Sequence, residues 1–234
     1  AYNLALAGGL ALAAPLLAAR LAKGRYRAIA AARLGLGPGW LPPASRGGIW
    51  VHALSVGEVR SALPLLKALG DSFPERPLAL SVATAQGLAV ARQELAGRPE
   101  VSIFVRPLDL CWNVERLVDR LRPALFCLVE GDIWPGWNWG LARRGVPSLL
   151  VNARVSPRAY RGYRRSGPLA RGLLSGFSRI LAQTGVDRDR LLAVGVDPAR
   201  LAVGGNLKFD SAPAFLEPDA RAGLARQLGL TGRR

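Results

Sequence analysis

The chain has 234 residues, half of them hydrophobic, and a formal net charge of +16, which allows one buried core of ordinary domain size with an appendage and leaves little room for two complete domains. Its 27 glycines follow no Gly-X-Y period and no polar low-complexity tract, which excludes collagen-like and disordered classes. The charge predicts an anionic partner, whether nucleic acid, an acidic membrane surface or a phosphorylated substrate, and nucleic acid is the least favoured of these, since the excess is almost all Arg and no zinc finger, basic zipper or RNA-stacking motif accompanies it.

From Ala1 to Ala19 no residue is charged, and Arg20, Lys23, Arg25 and Arg27 follow at once. At about 1.5 Å per residue, a helix of that length nearly spans a hydrocarbon core about 30 Å thick. The basic flank would stay cytoplasmic, so residues 1–22 are expected to form a transmembrane signal anchor with a single pass. Pro15 and the dominance of Ala and Gly fit the alternative, a helix packed on the protein's own surface.

After a Gly/Pro-rich connection over Gly35 to Gly48, short apolar runs alternate with longer helical patterns, the rhythm of a parallel sheet with crossover helices. Strands are predicted at Ile49–Leu54, Leu78–Ala83, Val101–Val105, Leu125–Val129, Ser148–Val151 and Arg179–Ala182. In open α/β sheets ligands bind beyond the carboxyl ends of the strands. Polar clusters stand at those places: Ser55-Val56-Gly57-Glu58, Thr84-Ala85-Gln86-Gly87, Pro107-Leu108-Asp109, Glu130-Gly131-Asp132 and Asn152-Ala153-Arg154. Five such clusters at one edge describe a cleft. Cys111 and Cys127 lack CxxC spacing and His52 is the single histidine, so no metal site is expected. His52 itself reads as a core histidine.

The string Trp50-Val51-His52-Ala53-Leu54-Ser55-Val56-Gly57-Glu58-Val59 resembles the signature that opens the cytoplasmic domain of bacterial 3-deoxy-D-manno-octulosonic acid (Kdo) transferases. The similarity continues in register through Thr84 to Gly87, Pro107-Leu108-Asp109, Glu130-Gly131-Asp132-Ile133-Trp134-Pro135, Asn152-Ala153-Arg154-Val155-Ser156 and Gly205-Asn206-Leu207-Lys208-Phe209-Asp210. Six motifs in one order are far more specific than any one of them. Asp132 and Gly136 stand where the family usually has a second Glu and an Asn, and Ala85 and Gln86 replace part of a Thr-rich turn.

The resemblance implies the N-terminal, acceptor-binding half of a two-domain GT-B glycosyltransferase. Residues 45–210 would be its Rossmann-like domain and 211–234 a linker, including a helical pattern over Asp219 to Leu230, into a donor domain beyond the chain. It further implies transfer of Kdo from CMP-Kdo to a lipid A precursor at the cytoplasmic face of the inner membrane, by an inverting, metal-independent reaction that needs no cofactor besides its donor substrate. Such a transfer needs a base for the acceptor hydroxyl, and a carboxylate with a pKa near working pH is suitable. Glu58 is the candidate base, set against the plainer role of complementing its own helix N-terminus. Glu130 is the candidate second catalytic carboxylate, with a buried ion pair as its alternative. Substrate contacts are expected from Ser55, Gly57, Thr84, Gly87, Asp109, Asp132, Asn152, Arg154, Ser156, Asn206 and Lys208. Arg158, Arg161, Arg164, Arg165 and Arg171 extend a basic stretch suited to phosphates or anionic headgroups, or simply to a solvated face. Two other readings stay open, a noncatalytic membrane-associated binding domain and a basic nucleic-acid-binding protein.

Overall fold

A computed structural model describes residues 2–16, 27–36, 40, 46–210 and 226. Two helices, α1 (Tyr2–Leu12) and α2 (Arg27–Arg33), precede an alternating series: β1 (Ile49–Ala53), α3 (Val56–Ser72), β2 (Leu78–Val82), α4 (Ala85–Glu94), β3 (Val101–Val105), α5 (Cys111–Leu121), β4 (Leu125–Val129) and α6 (Pro135–Ala142). The series continues with β5 (Ser148–Ala153), α7 (Pro157–Ser166), α8 (Pro168–Leu174), β6 (Arg179–Ala182), α9 (Gly185–Val194) and β7 (Leu201–Val203). The seven strands form one parallel sheet in the order β3-β2-β1-β4-β5-β6-β7. This is the doubly wound, Rossmann-like arrangement, and its chain direction across the sheet reverses between β1 and β4.

The strands form where continuous apolar runs can be covered on both faces, as in Leu78-Ala79-Leu80-Ser81-Val82, buried throughout. Alternation then divides the core into two halves. Trp50 packs at 4.6 Å from the Phe126 ring and 5.3 Å from Trp137 on one face, while Val51, Leu80 and Leu66 fill the other. Each such fully buried side chain contributes about 1.5–3 kcal/mol. Helix starts are set by side-chain caps: Ser55, Thr84, Ser156 and Thr184 each accept a hydrogen bond from the backbone N–H three residues on.

The six predicted strands are present. β3, β4 and β6 have the expected bounds, β1 and β2 end one residue early, and β5 continues two residues further to Ala153. β7 was not anticipated: three residues at a sheet edge, two of them exposed, carry almost no periodic signal.

α1 is apolar but buries none of its residues. It is tied to the sheet domain at its first turn, where the Tyr2 hydroxyl donates to Asp109 at 2.6 Å and Asn3 Oδ1 accepts from the Cys111 N–H at 2.9 Å. No helix among the described residues is long and apolar enough to cross a membrane. The anchor expected over residues 1–22 therefore gains no support, and its part from 17 onward lies outside the described residues. Apart from Arg226, the 211–234 segment with its expected helix also lies outside them.

Candidate functional site

The reversal of the sheet between β1 and β4 marks the carboxyl ends of those two strands as the place where open α/β sheets bind their ligands. Glu58 stands at this end of the sheet, in the first turn of α3, just past β1. It is 8 % exposed. One carboxylate oxygen accepts from the Leu54 N–H at 2.6 Å, while the other meets only the Ser55 hydroxyl, at 3.4 Å. With the Ser55 side chain accepting from the Glu58 N–H, this is a variant of the capping box in which the Glu reaches the N–H one residue before the cap, so the helix-complementing role is real. It does not exhaust the residue. Burial, with the nearby charges of Glu130 and Asp132, pushes the Glu58 pKa up to about 7 against the lowering effect of the Leu54 N–H. A carboxylate that serves only as a cap in water would titrate far lower.

Glu130 closes β4 in a left-handed backbone conformation (φ 69°), and Asn152 near the end of β5 does the same (φ 56°). Non-glycine residues are held there only when their surroundings enforce it. The enforcement is visible around Asn152. Its side-chain amide donates toward Glu130 at 3.4 Å, its Oδ1 accepts from the Leu207 N–H at 3.1 Å, and its carbonyl accepts from Gln183 at 3.2 Å. Lys208 Nζ lies 3.3 Å from Glu130 Oε1. The segment after β7 is thus brought back onto the ends of β4 and β5, and Asn206 caps its short helical turn by accepting from the Lys208 N–H.

Behind these carboxylates is a buried polar network. Asp132 accepts from Arg106 at 2.6 Å and from the Trp134 indole at 2.7 Å, and His52 Nε2 lies 3.5 Å away. Burial pushes the Asp132 pKa up, but the His52 contact and the Arg106 charge outweigh it and hold the carboxyl below the usual range. Burial and the Arg106 charge drive His52 down to about 4, so its ring is neutral. His52 is therefore a core residue, as its place in the strand predicts, and one that faces the network. Arg106 and Arg33 were missed in the sequence. The only available signal was Arg106's position, directly after an apolar strand and before Pro107; Arg33, which donates to the Ala83 carbonyl at 3.1 Å, gave none.

The remaining expected contacts divide by exposure. Asp109 is 1 % exposed and grips the start of α6, accepting from the Gly136 and Trp137 N–H groups at 2.7 Å each. A Cβ at Gly136 would meet the Asp109 carboxylate at 2.6 Å, which explains why glycine stands here. Ser55, Thr84, Ser156 and Asn206 are caps. Gly87 lets α4 approach β1, since a Cβ there would lie 2.8 Å from Val82 and 3.3 Å from the Ser55 backbone. Gly57 and Arg154 are exposed, as are Arg158, Arg161, Arg164 and Arg165 on α7, whose tyrosines Tyr160 and Tyr163 pack against the core. Among the described residues no group of three or more His, Cys, Asp or Glu has the arrangement to hold a metal ion.

Together the topology and the neighbouring carboxylates Glu58, Glu130 and Asp132 define a Rossmann-like α/β domain with acidic side chains at its switch point. Two solved structures share this fold. One is the UDP-GlcNAc 2-epimerase from Neisseria meningitidis bound to UDP-GlcNAc, at 11% identity and TM-score 0.51, over 79% of this chain and 51% of that one. The other is Anabaena Alr3699/HepE in complex with UDP and glucose, at 14% identity and TM-score 0.54, over 80% and 52%. Residues 25–211 match the family described as 3-Deoxy-D-manno-octulosonic-acid transferase (kdotransferase), and the chain belongs to that family. The 3-deoxy-D-manno-octulosonic acid transferase of Bordetella pertussis is 35% identical over 99% of this chain and 54% of the relative, and that of Haemophilus influenzae 31% identical over 80% and 43%. The chain spans about half the length of the curated relatives it matches.

Proposed function

We propose that this chain is the acceptor-binding half of a glycosyltransferase that moves Kdo from CMP-Kdo to a lipid A precursor, lipid IVA, in lipopolysaccharide biosynthesis. The acceptor hydroxyl oxygen bonds to the anomeric carbon of Kdo as that carbon's bond to the CMP phosphate breaks, with inversion. The hydroxyl proton passes to Glu58, and CMP leaves. The observation that carries this reading is the Glu58 carboxyl, buried at the switch point with its pKa at about 7, where it both holds and releases a proton near neutrality. Glu130, fixed by Asn152 and Lys208, orients the acceptor or supports charge developing in the transition state. No metal or further cofactor is needed, because cationic side chains, Lys208 among them, supply the countercharge.

Membrane association belongs to the same proposal. The unburied apolar α1 and the exposed arginines of α7 suit the anionic cytoplasmic face of the inner membrane, where the lipid acceptor resides. The deciding experiment incubates the full-length protein with CMP-Kdo and lipid IVA and reads the products by mass. Glu58→Gln is expected to lower turnover by about 10²–10⁴-fold, the usual contribution of a positioned base. Wild-type turnover in a folded Glu58→Gln protein would reject the assignment.

A further inference from the structure

Five buried side-chain polar atoms have no hydrogen-bond partner among the described residues, and three of them, His52 Nε2, Arg106 Nε and Trp137 Nε1, belong to residues lining one small pocket. The pocket is closed on its other sides by Asp132, Trp134 and Asn138 and by the apolar side chains of Phe126 and Phe177. His52, Arg106 and Trp137 are at most 3 % exposed. Buried polar atoms are almost always satisfied, so several unpaired ones gathered around one space call for a shared partner.

The chemistry of that partner follows from the lining. Arg106 Nε–H and Trp137 Nε1–H are obligate donors, so each calls for an acceptor, and both residues line the same space. His52 is assigned by its neighbours. His52 Nδ1 lies 3.0 Å from the Ser81 carbonyl, which can only accept, and 2.8 Å from the Ser81 hydroxyl, which also accepts from the Trp50 indole at 2.8 Å, so the ring proton sits on Nδ1. Nε2 of the neutral ring then carries a lone pair and can itself accept, 3.5 Å from Asp132. An anion is disfavoured in the pocket, because the Arg106 charge is already matched by Asp132 at 2.6 Å and that carboxylate forms part of the wall. A group that accepts from two N–H donors and gives a proton to a carboxylate is required, and the space has room for about one water molecule.

We propose that this pocket is an internal hydration site. One water accepts from Arg106 and Trp137 and donates to Asp132, tying the end of β3 and the start of α6 to the loop that follows Glu130. The water thereby positions that loop from behind, a role that holds whichever reaction is carried out at the switch point.

A crystal structure of the full-length protein that resolves ordered waters tests this directly. One peak is expected within about 2.7–3.2 Å of both Arg106 Nε and Trp137 Nε1. In Trp137→Phe, which keeps a ring against Trp50 and removes the donor, the peak should vanish. Amide exchange over residues 131–134 should then quicken by about tenfold, the scale of one lost net hydrogen bond. A pocket without a peak, or one filled by a rotated Asn138 side chain, overturns the proposal. So does an anomalous peak at the site after bromide soaking, or a peak that survives in the variant. If Trp137→Phe does not fold, the wild-type density and the bromide soak decide alone.

Discussion

Replacing Glu58 by Gln separates a strained functional carboxyl from a simple helix cap, because the first predicts an effect on stability that changes between pH 5 and pH 8 and the second one that does not. The Glu58 pKa rises from an ordinary 4.5 to about 7, chiefly through burial. That difference corresponds to about 3 kcal/mol between the protonation states. The sign follows from proton linkage. Between pH 4.5 and 7 the unfolded chain has released this proton while the folded chain keeps it, so stability falls as pH rises through that window. Above about pH 7 the folded protein bears the full cost of the buried anion. Gln carries no charge at any pH and keeps an oxygen to accept from the Leu54 N–H, now held at 2.6 Å. At pH 8 the variant should therefore be more stable than wild type by about 2–3 kcal/mol, a rise in Tm of roughly 4–12 °C for a domain of this size. At pH 5 the gain should disappear. Paired calorimetric scans at both pH values measure this, and a Tm that falls by the same amount at pH 5 and pH 8 would refute the reasoning, since an unstrained capping Glu behaves that way.

Further outcomes follow from the same geometry. The turnover of the full-length enzyme should decline on the acid side with an apparent pKa near 7, and the pH profile of kcat/KM would reveal it, because protonated Glu58 cannot accept the hydroxyl proton. Asp109→Ala should cost about 2–4 kcal/mol, measured by denaturant unfolding, since two buried N–H groups at the start of α6 lose their only acceptor. Gly87→Ala should destabilise by about 1–3 kcal/mol in the same assay, because the new methyl meets Val82 at 2.8 Å and the Ser55 backbone at 3.3 Å. Lys208→Ala should change stability by less than about 1 kcal/mol, its ion pair with Glu130 being half exposed, yet lower turnover by releasing the Glu130 carboxylate.

The residues after the parallel strands serve two purposes at once. Ser55 and Thr84 cap helices, and the same hydrogen bonds close the loops at the carboxyl ends of the strands. Asp132 shows the limit of this economy. Its oxygens are engaged by Arg106, Trp134 and the His52 contact, so in this state it serves the loop. Glu130 and Lys208 remain the partly open pair, at 20 % and 49 % side-chain exposure.

Much of this protein is written in its local sequence. Buried parallel strands need unbroken apolar runs, so Val101–Val105 and Leu125–Val129 were legible with the bounds they have in the fold. Turns into helices need small or capping residues, so the polar groups at the carboxyl edge of the sheet were legible as well. What stayed hidden depends on groups far apart in the chain. That Arg106 would lie against Asp132, that residue 208 would return to residue 130, and that Asn152 would be forced into a left-handed conformation are decided by how the strands stack side by side. The Glu58 pKa belongs to the same class: composition states that an acid is present, but only packing sets how much water it loses and which charges stand beside it.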